Sequence, residues 1–191
     1  GDITKGKNLI VFEIAKRYVF NFLDFEIRDL KAGNKIKILA IEANNEVLID
    51  IPELDFPVKL VGKVDRVDEY NGMTRVIDYK TGRVEQAQVE IVNWEDMTTD
   101  YKKYSKPFQI LTYAYMMHAM EDIKLPVEAG IISFKNLDAG FLGFAKKDKS
   151  GNGAKKDFLI THETIDHFTV ELKQLILEIC NPNIPFTEKE V

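Results

Sequence analysis

The sequence predicts an α/β domain in which a central mixed sheet is flanked by helices, and three observations carry the prediction. Apolar and polar residues alternate with period two over 36–43, 46–51, 58–69 and 73–80, and an apolar run covers 128–134, as in half-buried or buried strands. Asn71-Gly72 separates two of these runs and is a strong hairpin turn. Apolar residues fall at three- and four-residue spacing over 9–30, and 106–121 also reads as a helix. At 191 residues, with 45% hydrophobic and 30% charged side chains, the chain suffices for one packed domain burying roughly 70% of its unfolded surface. Disordered and collagen-like classes are excluded.

The first helix follows from Ile10, Val11, Ile14, Ala15, Tyr18, Val19 and Phe22, and Lys31-Ala32-Gly33-Asn34 carries a helix stop. Residues 35–42 then alternate, Asn44-Asn45 is expected to turn the chain, and 46–51 is expected to return as the second arm of a hairpin. After Pro52 and Pro57 come the 58–69 strand, the Asn71-Gly72 turn and the 73–80 strand. Residues 82–104 are poorly patterned and read as a loop. A helix is expected over 106–121 with Pro107 in its first turn. Two strands near 127–134 and 140–145 follow, joined by a turn at 136–139, then a basic loop opened by Gly151-Asn152-Gly153. A last helix over 161–179 is capped by Thr161 or Thr164, and its apolar set from Ile165 to Ile179 reads as core packing. No repeat or low-complexity tract interrupts the single domain 1–191.

Composition narrows function further. The net charge of −5 and a pI near 5.3 exclude binding to nucleic acid through bulk positive charge, so any polyanion contact must be local or metal-neutralised. Residues 84–100 hold Glu85, Glu90, Glu95, Asp96 and Asp100 without Lys or Arg, whereas Lys102, Lys103 and Lys106, and later Lys146, Lys147, Lys149, Lys155 and Lys156, form two basic patches. These read as solvated loops. Cys180 is alone, so no internal disulfide or four-thiolate zinc site can form, which favours a reducing, cytoplasmic setting. No apolar stretch nears the roughly 20 residues needed to cross a bilayer, and Gly1-Asp2-Ile3-Thr4 lacks the start of a secretory signal.

The residues with chemistry cluster in one strand–turn–strand unit. Asp78 and Lys80 are two apart on a strand and share a face, with Ile77 and Tyr79 on the other. Asp65, on the preceding strand, is close enough in register for its carboxylate to converge with that of Asp78. Two converging carboxylates suit Mg²⁺ or Mn²⁺, which take one or two acidic ligands and complete their shell with water and substrate phosphate. A lysine beside them can hold the scissile phosphate or position the attacking water, since attack on phosphorus builds charge on non-bridging oxygens. Taken alone, Asp-x-Lys reads as an ion pair on a half-exposed hairpin.

Gly62-Lys63-Val64-Asp65-Arg66-Val67-Asp68, Asp78-Tyr79-Lys80-Thr81-Gly82 and Gln109-Ile110-Leu111-Thr112-Tyr113 occur in that order. Together they resemble the Gly-x-x-Asp-Arg-x-Asp, Asp-Tyr-Lys-Thr-Gly and Gln-x-x-x-Tyr motifs of the PD-(D/E)XK nuclease superfamily, in its RecB-like and AddB-like branch. The resemblance covers residue 42 to about residue 115 well and the rest by element order. It implies a restriction-endonuclease-like core and a metal-dependent DNA nuclease, exonucleolytic in mode, serving recombination or repair. It further implies a helicase portion or subunit as partner and DNA as substrate, the chain being the C-terminal part of a longer helicase–nuclease. Asp65 and Asp78 match the catalytic, metal-binding carboxylates, the backbone carbonyl of Tyr79 a main-chain metal ligand, Lys80 the catalytic lysine, and Gln109 and Tyr113 a pair that contacts DNA. Arg66 and Asp68 read as a supporting ion pair.

The chain departs from the pattern in places. Val64 precedes Asp65, so the proline that names the superfamily is absent, as is usual in this branch. Members often carry a metal-ligating histidine on the upstream helix. Residues 9–30 hold Glu13, Asp24 and Glu26 but no histidine, so either Glu13 or a neighbour replaces it or the ligand precedes residue 1. Glu42 has two readings, reaching the site or facing solvent. Cysteines for an iron–sulfur cluster are missing, so none is expected. His118, His162 and His167 read as structural or surface residues, and Trp94 as part of a small local core or, alternatively, as a ring that stacks on a DNA base. The competing function is a catalytically degenerate nuclease fold that binds DNA or a partner chain. A third reading is a plain α/β interaction domain with no divalent-ion site.

Overall fold

The computed structural model describes residues 4–185 and 187. Helix α1 (Gly6–Lys31) leads into the edge strand β1 (Ile36–Ile49), followed by β2 (Val58–Tyr70) and β3 (Met73–Lys80). A connector holds 3₁₀ turns at Gln86–Val89 and Glu95–Thr98 and the short β4 (Glu90–Ile91). After it come α2 (Tyr101–Ala119), β5 (Glu128–Ser133), β6 (Phe141–Gly143), β7 (Ala145–Lys147), β8 (Lys156–Asp157) and α3 (His162–Ile179). The main sheet has the order β1-β2-β3-β5-β6, with β3 and β5 parallel and the other pairs antiparallel. This is the mixed α/β sheet that the period-two runs predict.

Helices cover both faces of the sheet. On one side α2 packs so closely on β2 that a Cβ at Gly62 would lie 3.2 Å from the Met116 side chain and 3.4 Å from the Tyr113 ring, which is why a strand interior carries glycine here. Ile110, Leu111 and Ala114 of α2 and Phe168 and Leu172 of α3 join Val67, Val76, Ala129 and Ile131 of the sheet in one core. On the other side, α1 lays Tyr18 and Phe22 against Phe134, and Phe22 against Tyr79, with ring centroids 5.4–5.9 Å apart.

The Asn71-Gly72 turn forms as expected, with φ of +51° and +91° between Tyr70 and Met73. Four other expectations are corrected. Asn44-Asn45 makes no turn. Residues 36–49 form one strand paired with β2 along its length, Asn44 opposite Lys63 and Asn45 opposite Gly62. A two-residue hairpin turn needs positive φ at both positions, best supplied by Asn-Gly, and the thirteen-residue β2 is long enough to pair with both segments. Irregularity falls instead between Ile38 and Ala40 and at Glu42, whose φ is +55°. Helix α2 begins five residues before 106, because the Asp100 carboxylate caps it by accepting from the Lys103 N–H, and Pro107 is a buried interior residue rather than a first-turn one. The connector is anchored through buried Val84, Val89, Ile91 and Met97. The 140–145 run divides between β6 on the main sheet and β7 in a second sheet of order β4-β7-β8.

The second sheet uses part of a basic patch. Lys147 and Lys156 bracket Glu90 at 3.4 and 2.6 Å, and Lys146 donates to the Val92 carbonyl. Trp94 packs on Phe144 and stacks on His167, the small local core expected of it. Thr161 and Thr164 cap α3 reciprocally, each hydroxyl accepting from the other's N–H. No helix among the described residues is long and apolar enough to cross a membrane.

Candidate active site

Strands β2 and β3 divide their polar residues between two faces. On the α1 side, Arg66 donates to Glu26 Oε1 at 2.5 Å and to the Tyr79 hydroxyl at 3.2 Å. Asp68, fully buried, receives a bidentate pair from Arg75 Nε and Nη2, both at 2.9 Å. Arg66 Nη2 also lies 2.6 Å from Asp68 Oδ2. That contact is off the N–H axis, so it is an ion pair rather than a hydrogen bond. Arg66 and Asp68 thus form the supporting pair read from the sequence, extended by Glu26 to α1 and by Arg75 to the next strand.

Alternation breaks at Asp65. Gly62 faces α2 and Val64 joins the α2-side core, whereas Arg66, two residues on, bonds to α1. The pairing of β2 with β3 stops at Arg66 opposite Ile77. There the Asp65 side chain takes over a ladder position, its Oδ2 accepting the Tyr79 N–H at 2.8 Å. Glu42, with its left-handed backbone, is the neighbour of Ile41 and Ala43, which pair with Arg66 and Val64. Asp65 thus lies close enough to Asp78 for the charge of one carboxylate to act on the other.

Asp78 is buried, and Lys80 Nζ lies 2.9 Å from its Oδ2. The contact is ionic and poorly directed, so Oδ2 is a buried acceptor without a hydrogen bond. Burial pushes the Asp78 carboxyl above the usual aspartate range, the Lys80 ammonium pulls it back, and the charge of Asp65 adds to the rise. Lys80 Nζ also donates to Gln109 Oε1 at 2.8 Å, and Gln109 Nε2 donates to the Tyr113 hydroxyl at 2.9 Å. Gln109 and Tyr113 stand one turn apart on α2. Burial keeps the Tyr113 hydroxyl protonated well beyond neutral pH, so its hydrogen is free to be donated onward. The second and third sequence motifs therefore meet in one chain of contacts running Asp78, Lys80, Gln109, Tyr113, and the first touches it through Asp65, which accepts the Tyr79 N–H.

Lys80, Gln109 and Tyr113 of this chain line a cleft of about 800 Å³, whose lining does not include Asp65 or Asp78. Gly62, Met97, Thr98, Phe108 and Lys106 line it, with Tyr101 highly exposed among the lining residues. Sequence reading gave no role to Tyr101 or Thr98, which lay in the unpatterned segment. Gly62 had a signal, since a glycine inside a strand marks close approach.

Other candidates do not join the pair. Glu13 is held by Lys16 in solvent, Glu26 belongs to Arg66, Asp24 is exposed, and Glu42 pairs with Lys63. Among the described residues no group of three histidine, cysteine or acidic side chains could hold a metal. The donor set of Asp65, Asp78 and the Tyr79 carbonyl nevertheless fits a small hard cation. All its atoms are oxygen, one of them is the buried acceptor of Asp78 lacking a hydrogen bond, and Mg²⁺ ordinarily uses one or two carboxylates with water and phosphate. His118 and His162 pack edge to face at 5.3 Å and His167 stacks on Trp94, in structural and surface roles.

No curated protein matches the sequence at a significant level. The mixed sheet between helices, the kinked Asp65 strand beside Asp78-Tyr79-Lys80 and the match of residues 11–190 to the family place this chain in the PD-(D/E)XK nuclease superfamily, to which it belongs.

Proposed function

We propose that this domain is a Mg²⁺- or Mn²⁺-dependent DNA nuclease of the RecB-like and AddB-like branch, acting exonucleolytically in recombination or repair alongside a helicase portion or subunit. Superfamily membership supports hydrolysis of phosphodiester bonds. The observation that carries the assignment of roles is the contact chain from Asp78 through Lys80 and Gln109 to Tyr113. Asp65, Asp78 and the Tyr79 carbonyl hold the cation. When bound, it supplies a water of lowered pKa and positive charge at the phosphate.

The remaining work falls to the chain's own side chains. Lys80 places its ammonium where charge grows on the non-bridging oxygens and is worth most in the transition state. Gln109 limits the rotamers of Lys80 by accepting one of its protons, leaving others for the phosphate. Tyr113 donates its hydroxyl proton to the substrate backbone.

The test is cleavage of end-labelled linear and covalently closed DNA, single- and double-stranded, with Mg²⁺ or Mn²⁺ and with EDTA. Metal-dependent loss of mononucleotides from linear DNA, abolished in Asp78→Ala, is the expected result. Saturable DNA binding with no cleavage, in this chain and in its parent protein, would replace catalysis with the degenerate, binding-only reading.

A further inference from the structure

Helix α1 is apolar on two opposite faces. Tyr18, Phe22 and Phe25 point to the sheet, while a second stripe runs along the far side within an arc of about 100° at 3.6 residues per turn. That stripe is symmetric about the point midway between Val19 and Phe20. Reversed end to end, it places Leu9 opposite Leu30, Phe12 opposite Ile27, Lys16 opposite Leu23 and Val19 opposite Phe20. Its apolar members are 37–62% exposed, and a helix apolar all round is one that packs on both sides.

The charges along one edge of the stripe run in a similar reversed order, centred one residue further along the helix. Glu13, Arg17, Asp24, Arg28 and Lys31 lie along this edge, the first four in the order minus, plus, minus, plus. The reversal sets Arg17 beside Asp24 and Glu13 beside Arg28, offset by about 3 Å along the axis. Side chains lean towards their own N-terminus, which closes that offset in an antiparallel pair. Lys16, held by its own Glu13 at 3.1 Å, covers the facing leucine with its methylene stem.

An isologous two-fold interface requires a surface complementary to itself, and an unrelated partner would not require the mirrored order of apolar and charged residues. We propose that α1 is a homodimerisation helix, pairing antiparallel with α1 of a second copy of this chain. Because α1 covers the sheet face opposite Asp78 and Lys80, both clefts stay open and point away from one another. The proposal stands apart from the nuclease reading.

Sedimentation equilibrium of the full chain from 1 to 200 µM should give about twice the 21.9 kDa chain mass, at least at the upper concentrations. Phe20→Glu, at the centre of the symmetry, should yield monomer with an unchanged circular dichroism spectrum. Arg17→Asp and Asp24→Arg singly should each weaken association tenfold or more, and the double swap should restore it. With Cys180 replaced by serine, a mixture of Leu9→Cys and Leu30→Cys chains should form the mixed disulfide. Monomer throughout the range, an unaffected Phe20→Glu dimer, or preferential Leu9–Leu9 cross-linking, which denotes parallel helices, would each overturn the proposal.

Discussion

Asp65 and Asp68 stand three residues apart on β2, yet they should fail in opposite ways when each is changed to asparagine. Asp68 has zero side-chain exposure and holds Arg75 in a bidentate pair and Arg66 at 2.6 Å, both guanidinium groups being themselves buried. Asp68→Asn leaves two buried cations with only Glu26 as counter-charge, and breaking a buried pair in this way costs about 3–5 kcal/mol. At about 2.1 cal/mol/K of unfolding entropy per residue, the 191-residue chain carries about 0.4 kcal/mol/K, so the melting temperature should fall by about 7–12 °C. Asp65→Asn keeps an oxygen to accept the Tyr79 N–H and should change stability by about 1 kcal/mol or less, while removing a proposed metal ligand and lowering cleavage by about 10³-fold or more. Differential scanning calorimetry without metal, paired with cleavage at 20 °C where both variants are folded, separates the two outcomes. A melting shift below about 3 °C in Asp68→Asn, or cleavage lost as fully in Asp68→Asn as in Asp65→Asn, would refute the division of the strand into a structural and a catalytic face.

Further expectations concern the site and the sheet. Lys80→Ala should lower the cleavage rate by a large factor while DNA and Mn²⁺ affinities stay within threefold, as for a contact made in the transition state; unchanged kcat would remove Lys80 from catalysis. Asp78→Asn should abolish Mn²⁺ binding by calorimetry and raise the metal-free melting temperature by relieving burial of a charge and repulsion by Asp65. Because folding raises the Asp78 pKa, the folded state holds the proton more tightly. Stability should therefore decline as pH rises from the ordinary aspartate value of about 3.9 through the raised folded value. That decline should be shallower in Asp78→Asn, and a steeper one would show that Lys80 outweighs burial. Gly130→Ala should destabilise the domain by about 3 kcal/mol or more, since a Cβ there would sit 2.3 Å from the Leu142 carbonyl oxygen; chemical denaturation measures it.

The strand ladder was largely legible because period two and an Asn-Gly turn are local signals. Where the reading failed, a distant partner decided. Asn44-Asn45 looks like a turn in isolation, but β2 continues to Val58 and offers both segments of β1 a single partner. Pro107 looks like a helix start because proline suits a first turn. Asp100, seven residues earlier, caps the helix, and Ile110 and Leu111 of the same helix are held in the core. The connector lacked period altogether because its buried residues, Val84, Val89, Ile91 and Met97, each anchor a separate short turn or bridge.

The proposed site residues were read from motifs, because the chemistry proposed for them needs particular residue types whatever the loops between them. Strict alternation would have put Gly62, Val64 and Arg66 on one face, and with that geometry Arg66 would point at α2 and the Glu26–Arg66 tie to α1 could not form. The kink at Asp65 resolves the conflict. Upstream of it β2 packs on α2, downstream its charged residues engage α1, and at the break the Asp65 carboxylate replaces a ladder hydrogen bond by accepting from Tyr79. The position where the ladder is interrupted is thus the position of the carboxylate whose charge acts on Asp78. Glu42, with its positive φ at the matching place on β1, supplies the compensating bend on the neighbouring strand, which explains a glutamate whose side chain reaches Lys63 and stays outside the carboxylate pair.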